Sequence, residues 1–316
     1  MTRTSALVQR YAILVVFAGL FAIFAVTVPA FLTLENVMNI VVQSSILGTV
    51  ALGLNLVMMA GEIDISFSGS VPLLASVFAV LLQRGVSIGL AFVVICGIGV
   101  LIALFNALLV TQLRLNSFVA TIAVMFLLTG IWYAFTGGTS IWVGDEFNRE
   151  LVYGYLGPIP RIGLILLGVF IILYVLSEHT RFGMALRAVS TAPEAARAAG
   201  ISVKRTKMYA FAGAGLIFAL SSVLSIARLS GAMATAGADI MMPVMTIAFV
   251  GQSVLGMGRP NMPGVLIGAL LLGMVNNAFV LMRLPFWSVP MAYGVILMLS
   301  IALANIGRRE ITQVRM

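Results

Sequence analysis

Val86-Ser-Ile-Gly-Leu-Ala-Phe-Val-Val-Ile-Cys-Gly-Ile-Gly-Val-Leu-Ile-Ala-Leu-Phe-Asn-Ala-Leu-Leu-Val110 contains no charged side chain. About 18 or more apolar residues in a row are long enough to cross the hydrocarbon core of a bilayer. No water is present there to pair with backbone groups, so the crossing segment must be a helix or part of a closed barrel. Barrel strands alternate apolar and polar residues over about 10 positions. This run is continuous and far longer, which selects a helix.

Outward from this segment the pattern repeats. Further apolar segments lie at about 11–31, 37–60, 66–83, 117–136, 162–178, 208–228, 240–256, 262–283 and 287–306. With 61% apolar and 9% charged residues, against about 25% charged in a soluble domain, the chain reads as an all-α polytopic membrane protein. About ten transmembrane helices are expected, with residues 1–316 forming one transmembrane domain. Two breaks, Gly61-Glu-Ile-Asp-Ile-Ser66 and Gly256-Met-Gly-Arg-Pro-Asn261, admit either a full loop or a re-entrant, discontinuous helix. The segment Tyr11–Phe31 is long for a signal peptide and no Ala-x-Ala-like site follows it, so it reads as a retained span.

The net charge of +8 does not point to nucleic acid, because the basic residues cluster in short loops, as cytoplasmic loops of membrane proteins do. With the N-terminus in the cytoplasm, thirteen Lys and Arg fall inside and five (Arg84, Arg149, Arg161, Arg228, Arg283) outside. Residues 179–207 are then cytoplasmic, 137–160 outside, and both termini cytoplasmic. Cys96 is the only cysteine and His179 the only histidine, which excludes a disulfide within one chain and a Cys/His metal cluster. Cys96 reads as packed. No cofactor or metal is expected. An intramembrane enzyme would want a clustered nucleophile, and a proton-coupled secondary transporter would want buried Asp, Glu or His relays; Glu62 and Asp64 are the only candidates for the latter.

The cytoplasmic segment holds a short, well-punctuated helix, Thr191-Ala-Pro-Glu-Ala-Ala-Arg-Ala-Ala-Gly200. Thr191 is expected to cap it, Pro193 suits its first turn, Glu194 sits at the positive end of its dipole, and Gly200 suits a left-handed ending. Ala195, Ala196, Ala198 and Ala199 make a small-residue surface that can lie in a partner's groove. Asp64 is expected to hold backbone N–H groups near Ser66 at the start of the third span, with Gly61 at the turn, and Glu62 to be solvated. Asn55, Asn106, Gln252, Asn276 and Asn277, with Gln43, offer a solute donors and acceptors without a charge; interhelical hydrogen bonding is the other reading of each. Gly264, Gly268 and Gly273 read as close helix contact, and Met241-Met242-Pro243 as a packed or kinked helix rather than a metal site.

A weak internal repeat relates Gly99-Val-Leu-Ile102, Asn106-Ala-Leu, Leu113-Arg-Leu and Phe118 to Gly264-Val-Leu-Ile267, Asn277-Ala-Phe, Met282-Arg-Leu and Phe286. The copies run in opposite directions in this topology, the pattern of inverted repeats that meet at a substrate path.

Several segments resemble one family, the permease subunits of bacterial ABC importers for ribose, xylose, related monosaccharides and autoinducer-2. Gly61-Glu-Ile-Asp-Ile-Ser-Phe-Ser-Gly-Ser70 is similar to its Gly-Gly-Ile-Asp-Leu-Ser-Val-Gly-Ser. Thr180-Arg-Phe-Gly183 and Pro193–Lys204 resemble its cytoplasmic loop, Gly264–Asn277 its late helix, and Pro285-Phe-Trp287 the turn after it. Glu62 stands where the family usually has glycine, Phe67-Ser68-Gly69 is one residue longer, and Gly251-Gln252 and Met257-Gly258-Arg259-Pro260 replace glycine-rich pairs. The resemblance implies a ten-helix, cobalamin-importer-like core, homodimeric or paired with a paralogue, within membrane lipid. It also implies a cytoplasmic ATP-binding subunit gripping Pro193, Glu194, Ala195, Ala196, Arg197, Ala198 and Gly200, and a periplasmic solute-binding protein that delivers a monosaccharide or similar polyol. No Gly-x-x-x-x-Gly-Lys-Ser/Thr phosphate loop occurs in the chain, so ATP chemistry is expected from the partner. A branched-chain amino-acid importer permease is the alternative.

Overall fold

The structure, a computed structural model, describes residues 3–144, 154–157, 159–233, 236–254 and 258–313. Each of the ten apolar segments lies on a helix: α1 (Arg3–Thr27), α2 (Leu34–Met59), α3 (Phe67–Gln83), α4 (Ile88–Thr111), α5 (Ser117–Thr136), α6 (Arg161–His179), then α9 (Val203–Leu229), α10 (Ala236–Ser253), α11 (Met262–Leu281) and α12 (Ser288–Gln313). Two short helices, α7 (Arg181–Thr191) and α8 (Pro193–Ala198), stand between α6 and α9. Among the described residues, six helices are long and apolar enough to cross a membrane: α2, α4, α5, α6, α9 and α11. Shorter apolar stretches lie in α1, α3 and α12.

The chain is not wholly α. Ile141–Trp142 (β1) pairs antiparallel with Gly231–Ala232 (β4), and Tyr155–Leu156 (β2) with Ile159–Pro160 (β3). Strands of two residues leave no period-2 signal in the sequence, so they escape a pattern reading. The first span also ends earlier than the hydropathy suggested. α1 stops at Thr27 because Pro29 disfavours helical backbone in the residue before it.

Contacts divide the chain into two units, residues 52–241 and residues 1–51 with 242–316, and the division falls within α2 and beside Pro243 in α10. In the first unit, α4 crosses α9 at Gly99 and Gly215. A Cβ on Gly99 would stand 2.6 Å from the Gly215 carbonyl oxygen, so only glycine allows the backbones this close. Leu74, Phe78, Ile95, Ala219 and Ile226 pack around that crossing, with Cys96 against them. Leu73, Val124, Leu128 and Trp132 form a second cluster between α3 and α5, where the Trp132 indole N–H donates to Ser76 Oγ at 2.8 Å. The other faces of α4 and α5 present Val93, Leu101, Phe126 and Leu127 outward, as helices facing lipid do.

In the second unit, α11 packs with α1 and α12. Phe24 meets the Phe279 ring edge-on at 6.5 Å. Ser253 Oγ donates to the Ser300 carbonyl at 2.8 Å, tying α10 to α12.

Candidate functional site

α8 is begun by a proline and closed at its C-terminal end by a glycine. Pro193 occupies its first turn, where a missing N–H costs nothing, and Glu194 follows it. At the other end Gly200 has φ +80°, its N–H donates to Arg197 O at 2.9 Å, and the Ile201 N–H donates to Ala196 O at 2.9 Å. This pair of bonds is the Schellman ending that the glycine permits. Thr191 does not cap α8: it is the last residue of α7, and the capping position is Ala192, which has no side-chain oxygen to accept a bond. The next helix has a true cap, with Ser202 Oγ accepting from the Arg205 N–H at 3.4 Å.

Ala196 also departs from its expected place. It is 4% exposed and packs with Val189 of α7 and Val203 of α9. It therefore anchors α8 and does not belong to its outer surface. Pro193, Glu194, Ala195, Arg197, Ala198 and Gly200 are exposed, and Arg197 pairs with Glu194.

Behind this module runs the break at Gly61–Ser66. Gly61 has φ +82°, and a Cβ there would lie 3.2 Å from Ser190 Cα at the end of α7. From Glu62 to Ile65 the chain is non-helical, and Asp64, Ile65 and Ser66 are buried. Buried backbone groups need partners, and α5 supplies them. The Ile63 N–H donates to Ser117 Oγ at 3.2 Å, the Ile65 N–H to Thr121 Oγ1 at 3.1 Å, and Thr121 Oγ1 also donates to Ile63 O at 3.3 Å. Asp64 Oδ1 accepts from the Ser66 N–H at 2.9 Å. Asn106 of α4 donates to Ser66 Oγ at 2.7 Å and to Asp64 Oδ1 at 3.4 Å.

Glu62 is not free in solvent. Its carboxylate pairs with Lys207 in the first turns of α9, and the two side chains are 13% and 20% exposed. The glutamate thus ties the break to the helix that follows α8. Sequence reading did not single out Lys207, Ser117 or Thr121. The only signal was a basic residue and hydroxyls near span ends, a pattern many loops share.

A cavity of about 910 Å³ opens at the junction of the break, the α4–α5 turn and the start of α9. Gly61, Glu62, Arg114, Asn116, Lys204 and Lys207 are in its wall. Asn116 Oδ1 caps α5 by accepting from the Phe118 and Val119 N–H groups at 3.0 and 3.3 Å. Across the same unit, Gln83 Nε2 donates to Trp142 O at 2.9 Å and β1 pairs with β4. The ends of α3, α5 and α9 are therefore gathered together there.

The remaining amides are placed as follows. Asn55 is fully buried in α2. In the second unit, Asn276 Nδ2 donates to Gln43 Oε1 at 2.9 Å, while Gln252 and Asn276 are half-buried. Asn277 is buried, and its Oδ1 has no partner among the described residues. Asn261, not singled out from sequence, accepts the Gly264 N–H at 2.7 Å and donates to Gly251 O and Val254 O at 2.9 and 3.0 Å. The break at 256–261 lies partly outside the described residues.

The chain is 28% identical over 307 residues to the ribose import permease protein RbsC of Escherichia coli (strain K12), covering 96% of this chain and 95% of the relative. It is 32% identical over 294 residues to the ribose import permease protein RbsC of Bacillus subtilis (strain 168), covering 91% of each. It is 29% identical over 307 residues to the L-arabinose ABC transporter permease protein AraH of Azospirillum brasilense, covering 96% and 90%. No solved structure matches the chain. Matched from residue 36 to residue 304, the chain belongs to the family described as branched-chain amino acid transport system / permease component.

Proposed function

We propose that this chain is the membrane subunit through which an ATP-driven importer passes a monosaccharide. The relatives named for ribose and L-arabinose support a sugar over the branched-chain amino acid of the family description. Importers of this class work with an ATP-binding subunit and a substrate-binding protein; here ATP hydrolysis belongs to the separate subunit, and this chain is not itself an enzyme. A second permease copy or paralogue completes the path in the lipid bilayer. The chain crosses the inner membrane about ten times with both termini cytoplasmic, because that orientation leaves thirteen Lys and Arg inside against five outside.

One observation carries the coupling role. α8 is a short helix that starts on Pro193, is closed at its C-terminal end by Gly200 and is anchored by one buried face through Ala196, while Glu194, Ala195, Arg197 and Ala198 face outward. A rigid, exposed helix on a polar loop is a surface for the ATP-binding partner. The half-buried Gln252 and Asn276 suit weak contact with a passing sugar. Asn106, whose amide is engaged with Ser66 and Asp64, suits a positioning role on the path, as do the buried Asn55 and Asn277. Gly61, Asp64 and Ser66 form the structural turn.

The test is reconstitution of the permease with its ATP-binding and solute-binding partners in liposomes. Labelled pentose should accumulate and labelled leucine should not. Ala198→Asp, on the outward face, should leave melting temperature unchanged but remove most of the ATPase stimulation by the binding protein. Leucine uptake without pentose uptake would replace the sugar reading. Full stimulation in the variant would remove the docking role of α8.

A further inference from the structure

The cavity beside the Gly61–Ser66 break carries an excess of positive charge. Arg114, Lys204 and Lys207 are in its wall with Arg197, against the single carboxylate of Glu62. Glu62 is engaged with Lys207, and Arg197 with Glu194. Among the described residues, Arg114 and Lys204 have no acidic partner, and both side chains are exposed. Two cations at one opening without a counter-charge call for an anion.

Its depth says which kind. α4 ends at Thr111, α5 begins at Ser117 and α9 begins at Val203, all at this cavity, and all three are long and apolar enough to cross a membrane. The ends of such helices lie at the head-group layer. The N-termini of α5 and α9 add the positive ends of their dipoles. The opening is also not purely polar. Leu115 and Phe118 line it, and Leu113 and Val119 are exposed beside it. Phe118 and Val119 start an exposed apolar surface on α5 that continues through Phe126 and Leu127.

We propose that this cavity is a binding site for an anionic phospholipid, with the phosphate head group between Arg114 and Lys204 and the acyl chains along the outer face of α5. A free phosphate would use the cations and leave the apolar rim idle. Basic pockets between membrane helices are suited to anionic head groups, each cation near the surface contributing on the order of 1 kcal/mol. Bound there, the lipid would bridge the α4–α5 turn and the start of α9.

The experiment uses the full-length purified permease in a neutral detergent. Native mass spectrometry counts retained lipid, and melting temperature is followed as phosphatidylglycerol, phosphatidylcholine or inorganic phosphate is added. The unsubstituted protein should retain phosphatidylglycerol and melt higher with it; phosphatidylcholine and inorganic phosphate should do neither. Arg114→Gln with Lys204→Gln should weaken phosphatidylglycerol binding roughly 30-fold, two cations' worth, with lipid-free melting unchanged because both side chains are exposed. If the double variant does not fold, Lys204→Gln alone should weaken binding about fivefold. Equal phosphatidylglycerol binding in the folded variant and the unsubstituted protein would overturn the proposal. So would an equal shift from inorganic phosphate alone, which would make this a free-anion site. Loss of association with the ATP-binding partner while lipid binding stays intact would make it a protein contact and overturn it too.

Discussion

Two interruptions of apolar sequence are held in different ways. At Gly61–Ser66 the non-helical backbone is bonded by Ser117 and Thr121 from α5 and by Asp64 within the break, while Asn106 from α4 holds the Ser66 and Asp64 side chains and Lys207 that of Glu62. Before α11 one side chain serves several end groups of the described residues. Asn261 accepts the Gly264 N–H and donates to the carbonyls of Gly251, Val254 and Arg259. A helix that stops in an apolar setting must have its end groups satisfied. Among the described residues one break is held by a distributed seam and the other leans on one amide, and the two should fail differently.

The largest effect is expected at Asn261. Asn261→Ala removes a helix cap, about 1 kcal/mol, and strands partly buried carbonyls at about 1–3 kcal/mol. A loss of roughly 2–4 kcal/mol should lower the thermal midpoint of the purified protein more than any single change in the Gly61–Ser66 seam. If Asn261→Ala melts with the unsubstituted protein, the one-residue account of that break is wrong.

An intermediate effect is expected at Thr121. Thr121→Val keeps the shape and leaves the buried Ile65 N–H without its acceptor, a cost of about 1–3 kcal/mol. Adding Ser117→Ala should enlarge it, because Ile63 then also loses its acceptor. Strict additivity of the two in a double-mutant cycle would show independent contacts, whereas coupling of about 0.5 kcal/mol or more would show one cooperative seam. Hydrogen exchange at Ile63 and Ile65 should rise in either variant.

The smallest effect is expected at Glu62. Glu62→Gln removes the charge but keeps an oxygen that accepts from Lys207, whose ammonium can still reach water through the adjacent cavity. The cost should be about 1 kcal/mol, the upper end for an exposed pair, because the amide oxygen and the cavity water together replace most of the lost contact. A loss as large as that of Asn261→Ala would mean that the ion pair, and not the hydroxyls of α5, holds the break.

Much of the site was legible along the chain. The punctuation of α8 was read from Pro193, Glu194 and Gly200, because helix ends are set by local backbone preferences. The engagement of Asp64 with the Ser66 N–H was legible for the same reason, the two being only two residues apart. The inward turn of Ala196 was not, since a helix of six residues has no periodicity long enough to mark one face. Nor did Thr191 reveal that α7 runs through it and that Ala192 takes the capping place.

The linear order of residues determined where apolar helices form, where they break and which loops carry positive charge, because helix formation, desolvation and charge sorting act over short stretches of chain. Only tertiary structure decided how each break is satisfied. Thr121 meets Ile65 across 56 residues and Lys207 meets Glu62 across 145. Hydrogen bonds and ion pairs fall off within a few ångströms, so residues this far apart in sequence become partners only once helix packing has set the distance between them.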